Sequence, residues 1–335
     1  MTRFNRYLLA MPLAVALTLT WTLPSQAVVT PPSPIAIVVE QVNVTMPDNV
    51  SVPMWKMRLA SDPPGTPLPV ISAVAGDTLT IHLTNTLSAE PVSLVINGQR
   101  PTSMTPTWTD GSTGPRVDLS QRVRSFTHEA APYNIDAATA GTATYEWTNL
   151  KAGTYLLTSG THPAVQVPMG LYAALKVDAA AGQAYGPSTA YAGEAVLLFS
   201  EVDPDLNHAV ANGTYGTEVF TTALAMKSAP RYFLINGAPY SSAAGVLPVA
   251  GPGQKTVLRF LNAGNHSRVP VIQNEYLTLI ADDGNPLARP SQSYSLDLAA
   301  GKTLDAMIQP TTGGVLAIHE RTGGLAGGGM LAYLG

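Results

Sequence analysis

Two stretches of the chain repeat one alternating pattern, and this repeat narrows the possible folds to those built from strands. In residues 76–85, Leu79, Ile81 and Leu83 alternate with polar residues, which is the period of a strand with one buried face. The same layout returns 177 residues later, in residues 253–262. Between Gly and Pro turns, no long stretch keeps the period of a helix. We therefore predict an all-β protein.

Further strands are predicted wherever short alternating segments lie between turn residues. They fall at residues 34–44, 92–96, 142–147, 154–158, 171–177, 195–202, 256–261, 276–281, 293–298, 304–308 and 315–319. Many short strands joined by Gly- and Pro-containing turns are typical of Greek-key β-sandwiches. The predicted fold class is therefore all-β with sandwich architecture.

A second pair of matching segments indicates two tandem domains. Residues 152–157 (AGTYLL) match residues 313–317 (GGVLA), and residues 169–173 (MGLYA) match residues 330–333 (MLAY). The offset falls from 177 to 161 residues across the repeat, so the first copy carries 16 additional residues, which we place between Gln99 and Ala140. The prediction is one domain at 28–178, a linker at 179–192 and a second domain at 193–335.

The first 27 residues are predicted to be a secretory signal. Arg3 and Arg6 precede an apolar run at 8–19, and Ser25-Gln26-Ala27 is a small-x-small cleavage site. The run is shorter than the ~20 residues that a membrane-spanning helix needs, and no later stretch is continuously apolar. We expect a mature chain that begins near Val28 and is secreted, in a periplasm or outside the cell, with no integral membrane segment.

The charge balance argues against nucleic acid as a partner. The full chain has 18 basic and 22 acidic residues, and removal of Arg3 and Arg6 with the signal changes the net charge from −4 to −6. A mildly acidic chain without a basic block has no electrostatic footprint for a polyanion. Charged residues make up only 12% of the chain, against about 25% in ordinary domains. A surface poor in charge favours a protein partner or a homo-oligomer.

Several landmarks in this order resemble the cupredoxin domains of multicopper oxidases. Residues 153–162 (GTYLLTSGTH) and 169–177 (MGLYAALKV) are similar to the family's "GTYWYHSHT…GLYGALIV" signature, and residues 92–98 (VSLVING) are similar to its "H-x-H-G" strand. Residues 233–237 (FLING) and 257–262 resemble the first strands of its second domain. The resemblance implies two tandem cupredoxin-like Greek-key β-sandwich domains.

The departures from the family lie where its copper chemistry would be. The resemblance implies two H-x-H pairs that hold copper, yet the matching positions are Val95 and Asn97 in the first pair and Thr158 and Gly160 in the second. The chain also has no cysteine, and a blue-copper centre needs a thiolate ligand. We therefore predict no catalytic residue and no cofactor-binding residue; no cofactor is expected, and copper is a candidate only at some other site.

Two of the six histidines are candidates for such a site. His162 follows the lost ligand position Gly160 by two residues, and His128 precedes Glu129 in a segment that could return toward the same place. If they meet, two imidazoles and the Glu129 carboxylate could hold one copper or zinc ion. The competing interpretation is a hydrogen-bonded structural cluster.

Three functions remain open at this point. The first is a secreted, non-catalytic binding, scaffold or cell-envelope component that lacks the family's coppers. The second is a copper-binding oxidoreductase, either completed by another chain or using one copper near His128 and His162. The third is an adhesive or filament-forming β-sandwich, which the low charge and abundant Gly, Ala and Thr favour.

Overall fold

A computed structural model describes residues 28–31, 34–102, 107–109, 127–217, 219–221, 227–239, 245–321 and 330–335. The predicted signal at 1–27 lies outside these ranges, as does much of the predicted insertion between Gln99 and Ala140. Within the described ranges, no helix is long and apolar enough to cross a membrane. Nearly all regular structure there is β-strand, so the all-β prediction is confirmed.

The first half of the chain folds into two sheets. Its strands are β1 (Val28–Val29), β2 (Ile35–Thr45), β3 (Ser51–Leu59), β4 (Val70–Val74), β5 (Leu79–Asn85), β6 (Leu94–Ile96), β7 (Gly141–Trp147), β8 (Gly153–Ser159) and β9 (Tyr172–Asp178), with a short helix α1 (Pro163–Gln166) before β9. One sheet has the order β1-β4-β9-β8-β6 and the other β3-β2-β5-β7. Apolar side chains from both sheets, among them Ile37, Leu83 and Leu157, form the core between them.

The second half repeats this plan with sheets of unequal size. Its elements are β10 (Gly193–Val202), α2 (Pro204–Ala211), β11 (Tyr232–Ile235), β12 (Ala238–Pro239), β13 (Thr256–Asn262), β14 (Pro270–Ile272), β15 (Leu277–Asp282), β16 (Asn285–Ser293), β17 (Thr303–Ile308), β18 (Leu316–Glu320) and β19 (Leu331–Leu334). One sheet has the order β12-β11-β10-β13-β17-β15-β16 and the other β14-β18-β19. Phe199, Phe260 and Ile318 belong to the core of this half.

The sequence repeat corresponds to a repeat of topology. Strand β5 pairs in parallel with β2 and antiparallel with β7, and β13 pairs in the same two ways with β10 and β17. The order β6-β8-β9 in the first half matches β14-β18-β19 in the second. The two repeated segments, β5 and β13, therefore occupy equivalent positions in their sheets, each between a parallel and an antiparallel neighbour.

Helix α2 is an element that the sequence analysis did not predict. Asp203 caps it, since its carboxylate accepts hydrogen bonds from the backbone amides of Asp205 (3.1 Å) and Leu206 (3.4 Å), and Pro204 occupies the first turn. This is a strong helix-start signal. A helix of eight residues has only two turns, so its apolar period is too short to recognise. The strand predicted at 293–298 is not found. Strand β16 lies earlier and ends at Ser293, and Ser295 and Leu298 form isolated bridges instead.

Apolar contacts join the two halves over a broad surface. Leu156 and Ala174, on β8 and β9, pack against Val196 and Leu198 on β10. A separate cluster brings Met46, Val52 and Met54 of the first half against Val202, Tyr232 and Leu234 of the second. Burial of such side chains contributes about 25 cal/mol per Å² of apolar area removed from water. The halves are thus in contact through two apolar clusters.

A buried ionic cluster centred on Arg259 lies within this interface. The Arg259 side chain, on β13, is 0% exposed. Its Nε donates to Glu194 at 2.6 Å, its Nη2 donates to Asp178, and its Nη1 donates to the Thr154 hydroxyl at 3.1 Å. That hydroxyl in turn donates to Asp305 at 2.5 Å. Because Thr154 and Asp178 belong to the first half and the others to the second, one guanidinium connects both.

Burial and charge act against each other in this cluster. Burial raises the pKa of Asp305, and Arg259 opposes the effect. Burial also acts to raise the pKa of Glu194, but Arg259 and Lys176 outweigh it and hold that pKa below its ordinary value. Burial and the nearby Asp305 raise the pKa of the Tyr185 hydroxyl, which stays protonated and donates to the Asp305 carboxylate. The carboxylates therefore depend for their charge balance on Arg259, with Lys176 as a second cation beside Asp178 and Glu194.

Replacing Arg259 with Met should lower the free energy of unfolding by about 3–5 kcal/mol, because the buried carboxylates, Asp305 above all, lose the guanidinium beside them. Urea denaturation at neutral pH measures the change. Arg231→Met is the matched control, since Arg231 pairs with Asp48 across the same two halves while its side chain is 61% exposed. An exposed pair contributes little. Equal losses of stability in the two variants would contradict the role given to Arg259.

Candidate functional site

The four positions where the resemblance places copper ligands lie on two paired strands. Strands β6 and β8 run antiparallel, and Val95 lies directly opposite Thr158. Asn97 and Gly160 follow just beyond the two strand ends. Val95 is half-buried, Asn97 is exposed and Thr158 is buried. The backbone therefore brings the predicted positions together, although their side chains are not metal ligands of the expected kind.

These positions face away from the core of the first half. Leu94, Ile96 and Leu157 belong to that core, and side chains alternate along a strand, so Val95 and Thr158 point to the other face of the sheet. Leu156, two residues from Thr158, packs against the second half. The former ligand face is thus part of the surface against which the second half packs.

A buried network of hydroxyl, amide and carboxylate groups lies beside these positions. Glu129 is 9% exposed, and its Oε1 accepts a hydrogen bond from the Thr161 hydroxyl at 3.0 Å. Its Oε2 accepts one from the Thr109 amide at 3.1 Å. The Thr161 and Ser93 hydroxyls are 2.8 Å apart. Residues from three separate segments meet around one carboxylate.

Comparison with known proteins agrees with this architecture. Residues 204–321 match the family model described as multicopper oxidase, while no curated protein matches the sequence. A copper nitrite reductase from Nitrosomonas europaea superposes with a TM-score of 0.64 at 18% identity, over 92% of this chain and 93% of that one. The chain has the cupredoxin fold of the multicopper oxidases. The resemblance predicted from the sequence is confirmed.

Other solved structures agree on the cupredoxin fold. A blue copper oxidase from Nitrosomonas europaea gives a TM-score of 0.64 at 17% identity, over 89% of this chain and 84% of that one. A laccase from Botrytis aclada gives a TM-score of 0.62 at 20% identity, over 93% of this chain. The present chain spans 53% of that laccase, so it corresponds to about half of the larger protein.

Copper is implied by this fold family, but the donor set in the chain does not fit it. Val95 and Gly160 offer no side-chain donor, and the neutral Asn97 and Thr158 are poor substitutes for imidazole or thiolate. The sequence contains no cysteine. Within the described ranges, no group of three or more His, Cys, Asp or Glu residues is placed to hold a metal ion. No catalytic step can be derived through copper with these side chains.

The structure gives His128, His162 and Glu129 separate partners. The Nδ1 atom of His128 lies 2.8 Å from the Thr107 hydroxyl. His162 has a left-handed backbone (φ 49°) at the start of α1, and its ring meets the Tyr215 ring edge-on, with centroids 5.6 Å apart. The three residues do not form one of the ligand groups that a metal would need. The metal site predicted for them gains no support from this geometry.

A cleft beside helix α2 contains polar residues that sequence reasoning missed. It has a volume of about 470 Å³, and Asp205, His208, Phe220 and Lys227 line it. Asp205 and His208 are three residues apart, so the helix places them on one face. The capping signal at Asp203 and Pro204 could have predicted this helix and the shared face. The cleft is open to solvent, in contrast to the closed network around Glu129.

Introducing histidine at both Val95 and Thr158 should create a copper-binding pair, because directly opposed residues of antiparallel strands have Cβ atoms about 4.5–5.5 Å apart. Isothermal titration with Cu²⁺ should detect tighter binding to Val95→His/Thr158→His than to the unaltered protein. Val95→Asn/Thr158→Asn is the control that adds polarity without imidazole. If the histidine variant binds no more tightly than the asparagine variant, the pairing inferred for these positions is wrong.

Proposed function

We propose that this cupredoxin-fold chain is an exported, non-catalytic component that acts by binding or scaffolding, in the cell envelope or outside the cell. The observation that carries the proposal is the β6–β8 pair, where Val95 faces Thr158 at positions that the family resemblance gives to histidine. With no imidazole at these positions and no cysteine in the sequence, the pair offers none of the donors that hold and tune copper for oxidase chemistry. The predicted signal at 1–27 is the basis for export.

A fixed arrangement of the two halves supports a binding or scaffold role. The Arg259 cluster and the apolar interface resist relative motion of the halves. The hydroxyl of Tyr172 adds a hydrogen bond to Ser200 across the same interface, at 2.8 Å. A protein whose surfaces are held in place loses less conformational entropy when it binds. The interface thus stabilises one pre-organised surface.

The partner that we propose is another protein or a second copy of this chain. Among the strands that the structure describes, β16 is an edge strand that pairs with β15 alone, and most of its residues are exposed. Beside it the rings of Tyr276 and Tyr294 pack together, with 64% and 49% of each residue exposed. Aromatic residues are enriched in protein interfaces. Pro286 and Pro290 limit uncontrolled strand addition at this edge.

Two competing functions make different demands on the chain. One is a copper-binding oxidoreductase, either split between two chains or with a single copper, and the other is an adhesive or filament-forming protein. A split oxidase could obtain its cysteine from a second chain, but that chain cannot replace Val95 and Thr158. A single copper near His128 and His162 would need ligands that the geometry does not group. An adhesive or filament-forming role agrees with the low charge and requires self-association.

Metal content and activity of the purified mature protein test the proposal. After copper loading and dialysis, we expect well below one copper per chain, no intense blue absorption and no turnover of phenols or nitrite. Sustained turnover by the chain alone would overturn the proposal. Activity that needs a cysteine-bearing second chain would instead support the split oxidase. Light scattering and negative-stain microscopy report any oligomer or filament.

A further inference from the structure

Glu129 connects segments that are far apart in the sequence. Its backbone amide donates to the Thr107 carbonyl at 3.0 Å, while its carboxylate accepts from the Thr109 amide at 3.1 Å and from the Thr109 hydroxyl at 3.4 Å. Residues 107–109 and 127–129 are therefore held side by side. Both segments belong to the predicted insertion between Gln99 and Ala140, which the second half of the chain lacks.

The same carboxylate reaches the end of the former ligand strand. Its other oxygen accepts from the Thr161 hydroxyl, and Thr161 follows Gly160 directly. The Ser93 hydroxyl, on the segment that leads into β6, lies 2.8 Å from that of Thr161. Neighbouring hydrogen bonds continue the network, since the Ser159 hydroxyl donates to the Gln166 side-chain oxygen at 2.6 Å. Both strands that carry the predicted ligand positions are thus tied to Glu129.

A metal ion in a protein performs a similar mechanical task, because its ligands come from separated segments and its binding energy stabilises the fold. A buried carboxylate with several hydrogen-bond donors can join segments in the same way, since hydrogen bonds to a charged group are stronger than neutral ones. Its cost is that each donor must remain in place, because an unsatisfied buried charge is strongly unfavourable.

We infer that Glu129 is a metal-free anchor that holds residues 107–109 and 127–129 against the two strands where a copper-binding relative would carry its ligands. The inference rests on the proposed function and deepens it. In a chain without copper at these strands, the network around Glu129 would join the segments that a metal ion could otherwise join. Thr161 and Thr109 are the principal donors, and Ser93 couples the anchor to β6. The role is structural and involves no contact with a substrate.

Glu129→Gln tests the anchor without changing side-chain size. The amide has one oxygen instead of two, so it cannot accept from both Thr161 and the Thr109 amide. We expect the melting temperature to fall by roughly 3–8 °C. Hydrogen exchange followed by mass spectrometry should also show about tenfold faster exchange at the Thr109 amide. Glu146→Gln is the matched control, because Glu146 is a half-buried glutamate on β7 of the same half.

A double-mutant cycle makes the test specific to the network. Thr161→Val removes one donor while keeping the shape of the side chain. If both residues act through one contact, the combined Glu129→Gln/Thr161→Val variant should lose less stability than the two single losses added together. This milder series remains informative if a larger truncation, Glu129→Ala, fails to fold.

Several results would overturn the anchor. One is unchanged melting and unchanged Thr109 exchange in Glu129→Gln. Another is additive loss in the cycle. A third is stoichiometric binding of Cu²⁺ or Zn²⁺ by the unaltered protein that Glu129→Gln, His128→Ala and His162→Ala each abolish, because Glu129 would then be a metal ligand. A metal-free protein with an unaffected Glu129→Gln variant would refute the anchor alone, whereas copper-dependent turnover would refute the proposed function.

Discussion

The arrangement of the two halves depends on one guanidinium that is removed from water. Arg259 is fully buried, and moving such a cation out of water is costly unless anions and hydrogen-bond acceptors surround it. Asp178 and Thr154 come from the first half, and Glu194 and Asp305 from the second. The cation is therefore satisfied only when both halves are in place. The buried contacts of this cation thus tie the two halves to each other.

The same interface covers part of the sheet face that carries the positions predicted for copper ligands. Thr158 lies on the sheet face that packs toward the second half, next to Leu156. From the second half, Tyr215 contacts His162 just beyond the end of β8. Polar groups buried in such a place need partners within the protein. Beside these positions, the Glu129 carboxylate accepts hydrogen bonds from Thr161 and Thr109, and the Thr161 and Ser93 hydroxyls lie 2.8 Å apart.

The pairing of these strands and the side chains at the predicted ligand positions are set by different parts of the first half. The pairing of β6 with β8 is a property of the backbone and of the core beneath it, where Leu94, Ile96 and Leu157 are buried. Side chains on the opposite face can change without disturbing that core. A cupredoxin fold is thus compatible with valine, asparagine, threonine and glycine at these four positions, because function belongs to the site and not to the fold.

The sequence by itself determined the all-β class, the internal repeat and the family resemblance, because strand alternation and turn residues are local signals. It also determined which metal donors are missing, since the absence of cysteine and of H-x-H pairs can be read directly from the sequence. It did not reveal helix α2, whose eight residues are too few for a clear period, nor the partners of His128 and His162. Only the tertiary structure decided that Arg259 is buried among carboxylates and that Glu129 joins Thr109 to Thr161. These contacts join residues 20 to 105 positions apart, and no local pattern encodes a contact at such a separation.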